Sequence, residues 1–131
     1  MTGIEQKLSN LLRQANKAGD YRASLVCTEQ GLLVAAAGDT TGMDDVAALA
    51  ALFDEVLLRA RAHLGMQGVD EVTVRDPRVG RLVIRPIGEA ASTRMFLAVS
   101  VPPGRSWRRV TTTLCGELGR ELSVLGAKES A

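Results

Sequence analysis

Aromatic side chains are scarce in this sequence: Tyr21, Phe53, Phe96 and Trp107 are all it has. Proteins that hold single-stranded nucleic acid stack bases on aromatic platforms, so that class is disfavoured. Lysine is confined to Lys7, Lys17 and Lys128, and the other basic residues are arginine. Arginine forks suit specific protein contacts, although high-GC codon usage produces the same bias. Charge of one sign is lacking too. The formal net charge is +1, which gives no strong pull toward nucleic acid, a membrane surface or an acidic substrate.

The chemistry of metals and phosphates is equally thin. His63 is the only histidine, which excludes multi-histidine metal sites and leaves a serine or cysteine triad without an evident arrangement. No glycine is followed by lysine, so the loop that cradles nucleotide phosphates is missing and the chain is not itself a GTPase. No zinc or EF-hand spacing occurs. Cys27 and Cys115 belong to no CxxC and read as free, buried thiols of a cytoplasmic protein. No run approaches ~18 apolar residues, and Met1 to Lys17 is amphipathic rather than a leader. Catalytic, cofactor-binding and metal-binding residues are therefore all expected to be absent.

What is present is an ordinary globular composition: 131 residues, 46% hydrophobic and 24% charged. That length suits one domain, with a core over about 4–125 and a frayed tail at 126–131. Ile4, Leu8, Leu11, Leu12 and Ala15 recur at helical spacing up to Gly19. Arg22 to Thr28 and Leu32 to Ala37 read as a β-hairpin turning at Gly31. Thr41-Gly42-Met43-Asp44 has the form of a capping box for a helix running to Leu64. Strands are expected at Val69 to Asp76, Arg81 to Gly88 and Met95 to Val101. Ser106 can cap a last helix with Trp107, Val110, Leu114, Leu118 and Leu125 on one face. The order is α-β-β-α-β-β-β-α, an α+β fold with a five-stranded antiparallel sheet and helices on both faces.

The middle helix carries two apolar stripes. Val46, Leu49, Phe53, Val56, Leu57, Ala60 and Leu64 are expected to cover the sheet. Nearly opposite lie Ala47, Ala51, Leu58 and Ala62, with Asp54 and Glu55 at the edges. A surface helix needs one apolar stripe, and a second of small residues fits a helix–helix contact across a two-fold axis. Alanine's helix propensity alone is the competing account, which Leu58 fits poorly. Val72 and Val74 alternate with polar residues on a strand that could lie at a sheet edge. Such an edge is either paired with its own copy or protected by Asp70, Glu71, Arg75 and Asp76.

The hairpin Ser24-Leu25-Val26-Cys27-Thr28-Glu29-Gln30-Gly31-Leu32-Leu33-Val34-Ala35 resembles the opening of the Roadblock/dynein light-chain family. Val46-Ala47-Ala48-Leu49-Ala50-Ala51-Leu52 resembles that family's alanine-rich dimer helix. Glu71 to Val74, Gly80 to Ile87 and Phe96 to Val99 follow in the family's strand order. Gln30 departs from the acidic residue or asparagine often found before the glycine, which affects the turn and not the fold. The resemblance covers about 4–125. It implies a profilin-like fold that dimerises through the middle helix and third strand and binds a small Ras-like GTPase as regulator or scaffold. Some bacterial members of the family stimulate hydrolysis by a polarity or motility GTPase. The family has no invariant catalytic residue, so the resemblance transfers surfaces and not a mechanism.

Those surfaces are Ala47, Ala51, Leu58, Ala62, Val72 and Val74 for a homodimer. A rim of Asp54, Glu55, Arg59 and Arg61 is assigned to the GTPase. Arg105, Arg108 and Arg109 surround Trp107 and form either a docking patch, with one arginine offered to a partner's active site, or solvated neighbours of a core tryptophan. Two other classes stay open: a type III secretion-type chaperone, which places three strands before its middle helix, and a small ligand-binding sensor domain, which needs a large apolar pocket.

Overall fold

The computed structural model describes residues 3–90 and 92–130. Its elements are α1 (Gly3–Gly19), β1 (Ala23–Thr28), β2 (Leu33–Gly38), α2 (Met43–Leu64), β3 (Val72–Asp76), β4 (Gly80–Ala90), β5 (Thr93–Val101) and α3 (Arg108–Ser130). The strands form one sheet in the order β2-β1-β5-β4-β3, with every neighbouring pair antiparallel. The expected element order and fold class are those observed.

The apolar periods explain the layering. α1 buries Leu8, Leu12 and Ala15, spaced by four and three residues. With Leu114, Leu118 and Leu122 of α3 they cover Val26, Val83, Leu97 and Val99 on one face of the sheet. On the other face Leu25, Cys27, Ile84, Phe96 and Ala98 meet Ala47, Ala50 and Leu57 of α2. β1 and β5 lie inside the sheet with a layer on each side, which is why both their faces are apolar. The side chains of Phe96, Leu97, Leu25 and Val26 each contribute about 1.5–3 kcal/mol by leaving water.

Several boundaries differ from the sequence reading. β3 begins at Val72, not Val69, and its register with β4 starts at the Val72–Ile84 pair. The capping box at Thr41 does not form. Gly42 starts α2 with φ 73 and no side-chain cap, and the Asp39 carboxylate accepts the Thr41 N–H at 3.0 Å. α3 is helical to Ser130, so the expected frayed tail is part of the last helix. The Leu125 side chain and Ala131 lie outside the described residues.

The larger correction concerns α2. Ala47 is fully buried against the sheet, so it is part of the protomer's own core and not of an outward stripe. Leu49, Val56 and Leu64 were expected to cover the sheet, but they are exposed by 36, 49 and 71%. The buried line is Met43, Ala47, Ala50, Asp54 and Leu57. Small residues at 47 and 50 let the helix lie close on the sheet, which turns the bulkier leucines and valines outward and sideways.

Candidate protein-interaction surface

α2 lies mainly over β1, β2 and β5. Met43 and Val46 border a cavity of about 230 Å³ with Leu82 of β4 and Ser100 of β5. Val46 therefore marks the flank of α2 that meets Leu82 and Ser100. Leu49, Phe53, Val56 and Ala60 follow it at spacings of three and four, on the same flank. The sheet ends on one side in β3, where Val72 is half-buried and Val74 is 47% exposed. Val72 pairs with Ile84 and Val74 with Leu82, so both valines share the α2 face of the sheet. Phe53 of that flank and Val72 of β3 pack against the same core cluster.

The other flank of α2 has a different setting. Ala51 sits beside the β1–β2 turn, where a Cβ added to Gly31 would stand 3.5 Å from the Ala51 Cβ and 3.3 Å from the Ala48 Cα. Gly31 also holds φ +85, so the turn needs glycine twice over. Leu58 and Arg61 border a small cleft with Pro86, Gly88 and Arg94. Leu58 is 40% exposed, and Ala62 is exposed as well. Of the six residues assigned to a dimer, Val72 and Val74 therefore line the β3 edge. Ala51 lies beside the β1–β2 turn, Leu58 borders the cleft with Pro86 and Gly88 of β4 and Arg94 of β5, and Ala47 is interior.

The charged rim also divides. Asp54 is 7% exposed and is held by Arg94, which donates Nε to Oδ1 at 3.0 Å and Nη2 to Oδ2 at 2.8 Å. Arg94 also bonds Glu29 through Nη2 (2.7 Å) and its backbone N–H (2.9 Å). Asp54 is thus a strut joining α2, the β1–β2 turn and β5. Glu55 and Arg59 form an exposed pair one helical turn apart at 3.0 Å.

At the start of α3 the three arginines are not equivalent. Arg105 pairs with Asp20 at 2.7 Å. Arg108 bonds Asp70 at 3.1 Å and Glu71 at 3.0 Å. Arg109 is exposed beside the groove between α1 and α3. Trp107 is more than a core residue: its Nε1 donates to Glu71 at 2.9 Å, and the Arg81 guanidinium lies 4.5 Å over its ring. The hydrogen bond from Arg108 holds the Asp70 carboxyl below its ordinary range. At Glu71 burial pushes upward, but hydrogen bonds from Trp107, Arg108 and Thr73 outweigh it and the carboxyl is lowered. Burial pushes the Cys27 and Cys115 thiols up to about 12 and about 11, which keeps both protonated and unreactive at neutral pH.

Arg85 is a buried charge that no motif in the sequence singles out. It is 5% exposed, donates to Thr111 and Thr112 at 2.9 and 2.7 Å, and pairs with Asp70 at 3.3 Å. A signal is nonetheless there: an arginine inside the apolar run Leu82 to Ile87, on the same strand face as buried Val83. A charge at such a position requires buried partners.

The whole architecture has close counterparts among solved structures. An MglB with a tetrameric arrangement superposes with TM-score 0.80 at 16% identity, covering 95% of this chain and 94% of that one. The gliding protein MglB of Thermus thermophilus gives 0.79 at 15% identity, over 95% and 94% of the two chains. A Roadblock/LC7 domain from Streptomyces avermitilis gives 0.65 at 20% identity, over 92% of each. This is the Roadblock fold. No family model and no curated protein matches the sequence, so the likeness is carried by the backbone. The Roadblock fold here keeps two strands before α2, unlike the chaperone alternative. The cavity between the sheet and α2 holds about 230 Å³, below the roughly 300–1,000 Å³ of ligand pockets, and a more open one of about 540 Å³ lies between β4 and α3.

Proposed function

We propose that this chain is a Roadblock-domain regulator or scaffold that acts as a homodimer on a small Ras-like GTPase in the cytoplasm and has no active site of its own. The observation that supports the reading most is that α2 exposes Leu49, Leu52 and Val56 on the sheet face that also carries Val72 and Val74 of the edge strand β3. A second copy related by a two-fold axis fits both at once: strand pairs with strand, flank with flank. The interface proposed for that dimer is Leu49, Leu52, Val56, Val72 and Val74, and the burial of Ala47 leaves it out. The likeness to MglB folds and the family resemblance of residues 4–125 support the GTPase as partner. Glu55, Arg59, Arg61 and Arg109 remain the exposed charged residues available to it. Among the described residues no helix is long and apolar enough to cross a membrane.

The test has two parts. Sedimentation of the purified chain at micromolar concentration should give twice the protomer mass, and a monomer would overturn the dimer. The GTPase recovered by affinity capture should then be assayed for single-turnover GTP hydrolysis with and without this protein. Stimulation supports a regulator and binding without stimulation a scaffold, while absence of any GTPase in the capture overturns the partner.

A further inference from the structure

The sheet has a second open edge, and its chemistry differs from that of β3. β2 is the terminal strand on the side away from β3. Its sequence, Leu33-Val34-Ala35-Ala36-Ala37-Gly38, holds no charged residue and no proline, two of the devices that normally keep edge strands from pairing. The register with β1 slips at Val34, and from Ala35 to Gly38 it is regular. Alongside this stretch runs a groove of about 520 Å³, lined by Leu33 and Ala36 of β2, by Thr40, and by Asp44 and Asp45 at the start of α2. Leu32 and Leu33 at one end are 63 and 40% exposed. Both aspartates are exposed, and neither has a side-chain partner among the described residues.

We propose that the outer edge of β2 docks an extended segment of another protein that carries lysine or arginine. Strand addition satisfies the backbone donors and acceptors of Ala35–Gly38, and side chains alternating along the added strand supply the selectivity. A small apolar side chain rests over Ala36 and Leu33, and the next residue on that face sets its positive charge against Asp44 and Asp45. A second copy of this chain is a poor occupant. Pairing β2 with itself about a two-fold axis brings the aspartates of both copies along one seam, and no basic residue lines the groove to answer them. This inference goes beyond the dimer and the GTPase and depends on neither.

The test uses a fluorescent six-residue peptide, Thr-Val-Thr-Lys-Thr-Arg, whose valine and two basic residues share one face of a strand, and its counterpart with glutamate for both basic residues. Anisotropy should show the basic peptide binding at least about tenfold tighter, with the backbone amides of Ala35 to Gly38 protected from exchange when it is bound. Replacing the two exposed acids together (Asp44→Asn, Asp45→Asn) should weaken binding by about threefold to tenfold. Ala36→Arg places a cation in the groove and should abolish it. Equal binding of the two peptides, or protection confined to other residues, overturns the proposal. So does a sedimentation mass above the dimer that Ala36→Arg lowers, since that assigns the edge to a second copy.

Discussion

Arg94 illustrates how much one side chain can organise. It bridges Glu29 and Asp54, which lie 65 and 40 residues away in sequence. Asp54 is nearly buried, so removing its cation leaves a carboxylate with little water to solvate it. Arg94→Met should lower stability by about 2–3 kcal/mol, somewhat below the cost of breaking a fully buried pair because Arg94 is itself one-third exposed. Urea unfolding measures it, and adding Asp54→Asn should recover part of the loss. The cluster around Arg108 makes a pH prediction. Asp70 and Glu71 are lowered in the fold, so their contribution is fully present above the ordinary carboxylate values of about 4. It is lost as the pH falls through the lowered values. Thermal melts from pH 7 down to about pH 2.5 should show a decline below pH 4 that Arg108→Gln makes shallower. These partnerships were not legible in the sequence, because each joins residues that only the tertiary fold brings together.

At the level of elements the sequence was more informative, for a physical reason. The alternation in β1, the continuous apolar run of β5 and the period of α1 each report the burial of one element in one setting. All eight elements therefore appear in the expected order. α2 was the exception. Alanine, leucine and valine occur all round it, so its pattern admits more than one azimuth, and the sheet selects the one that buries Ala47 and Ala50. The proposed dimer is tested on both sides of the helix. Val56→Arg, at a position 49% exposed, should shift the dimer toward monomer. Leu58→Arg, in the cleft with Pro86 and Gly88, should shift it less. Sedimentation of the two variants separates the two sides, and the reverse result would favour the stripe read from the sequence. The burial of Ala47 and the exposure of Leu49 and Val56 were thus not legible in the sequence.

For the molecule as a whole, the arginines at the start of α3 offer unequal prospects as groups lent to a partner's chemistry. Arg108 is tied to two carboxylates and Arg105 to one, while Arg109 stands exposed. If a bound GTPase is stimulated through an arginine from this region, Arg109→Ala should reduce single-turnover hydrolysis by at least about tenfold, within the range known for supplied arginines. Arg105→Ala should leave it close to the original rate. Undiminished hydrolysis with Arg109→Ala removes this region from the mechanism. The strand order β2-β1-β5-β4-β3 has one more consequence. Two copies joined through β3 would make ten strands in a row and set their two β2 edges nine strand spacings apart, about 43 Å. A partner with two basic segments on a tether of that reach would bind by avidity, with the second contact made at high effective concentration. A shorter tether would reach only one end, so the sheet would act as a ruler for its ligands.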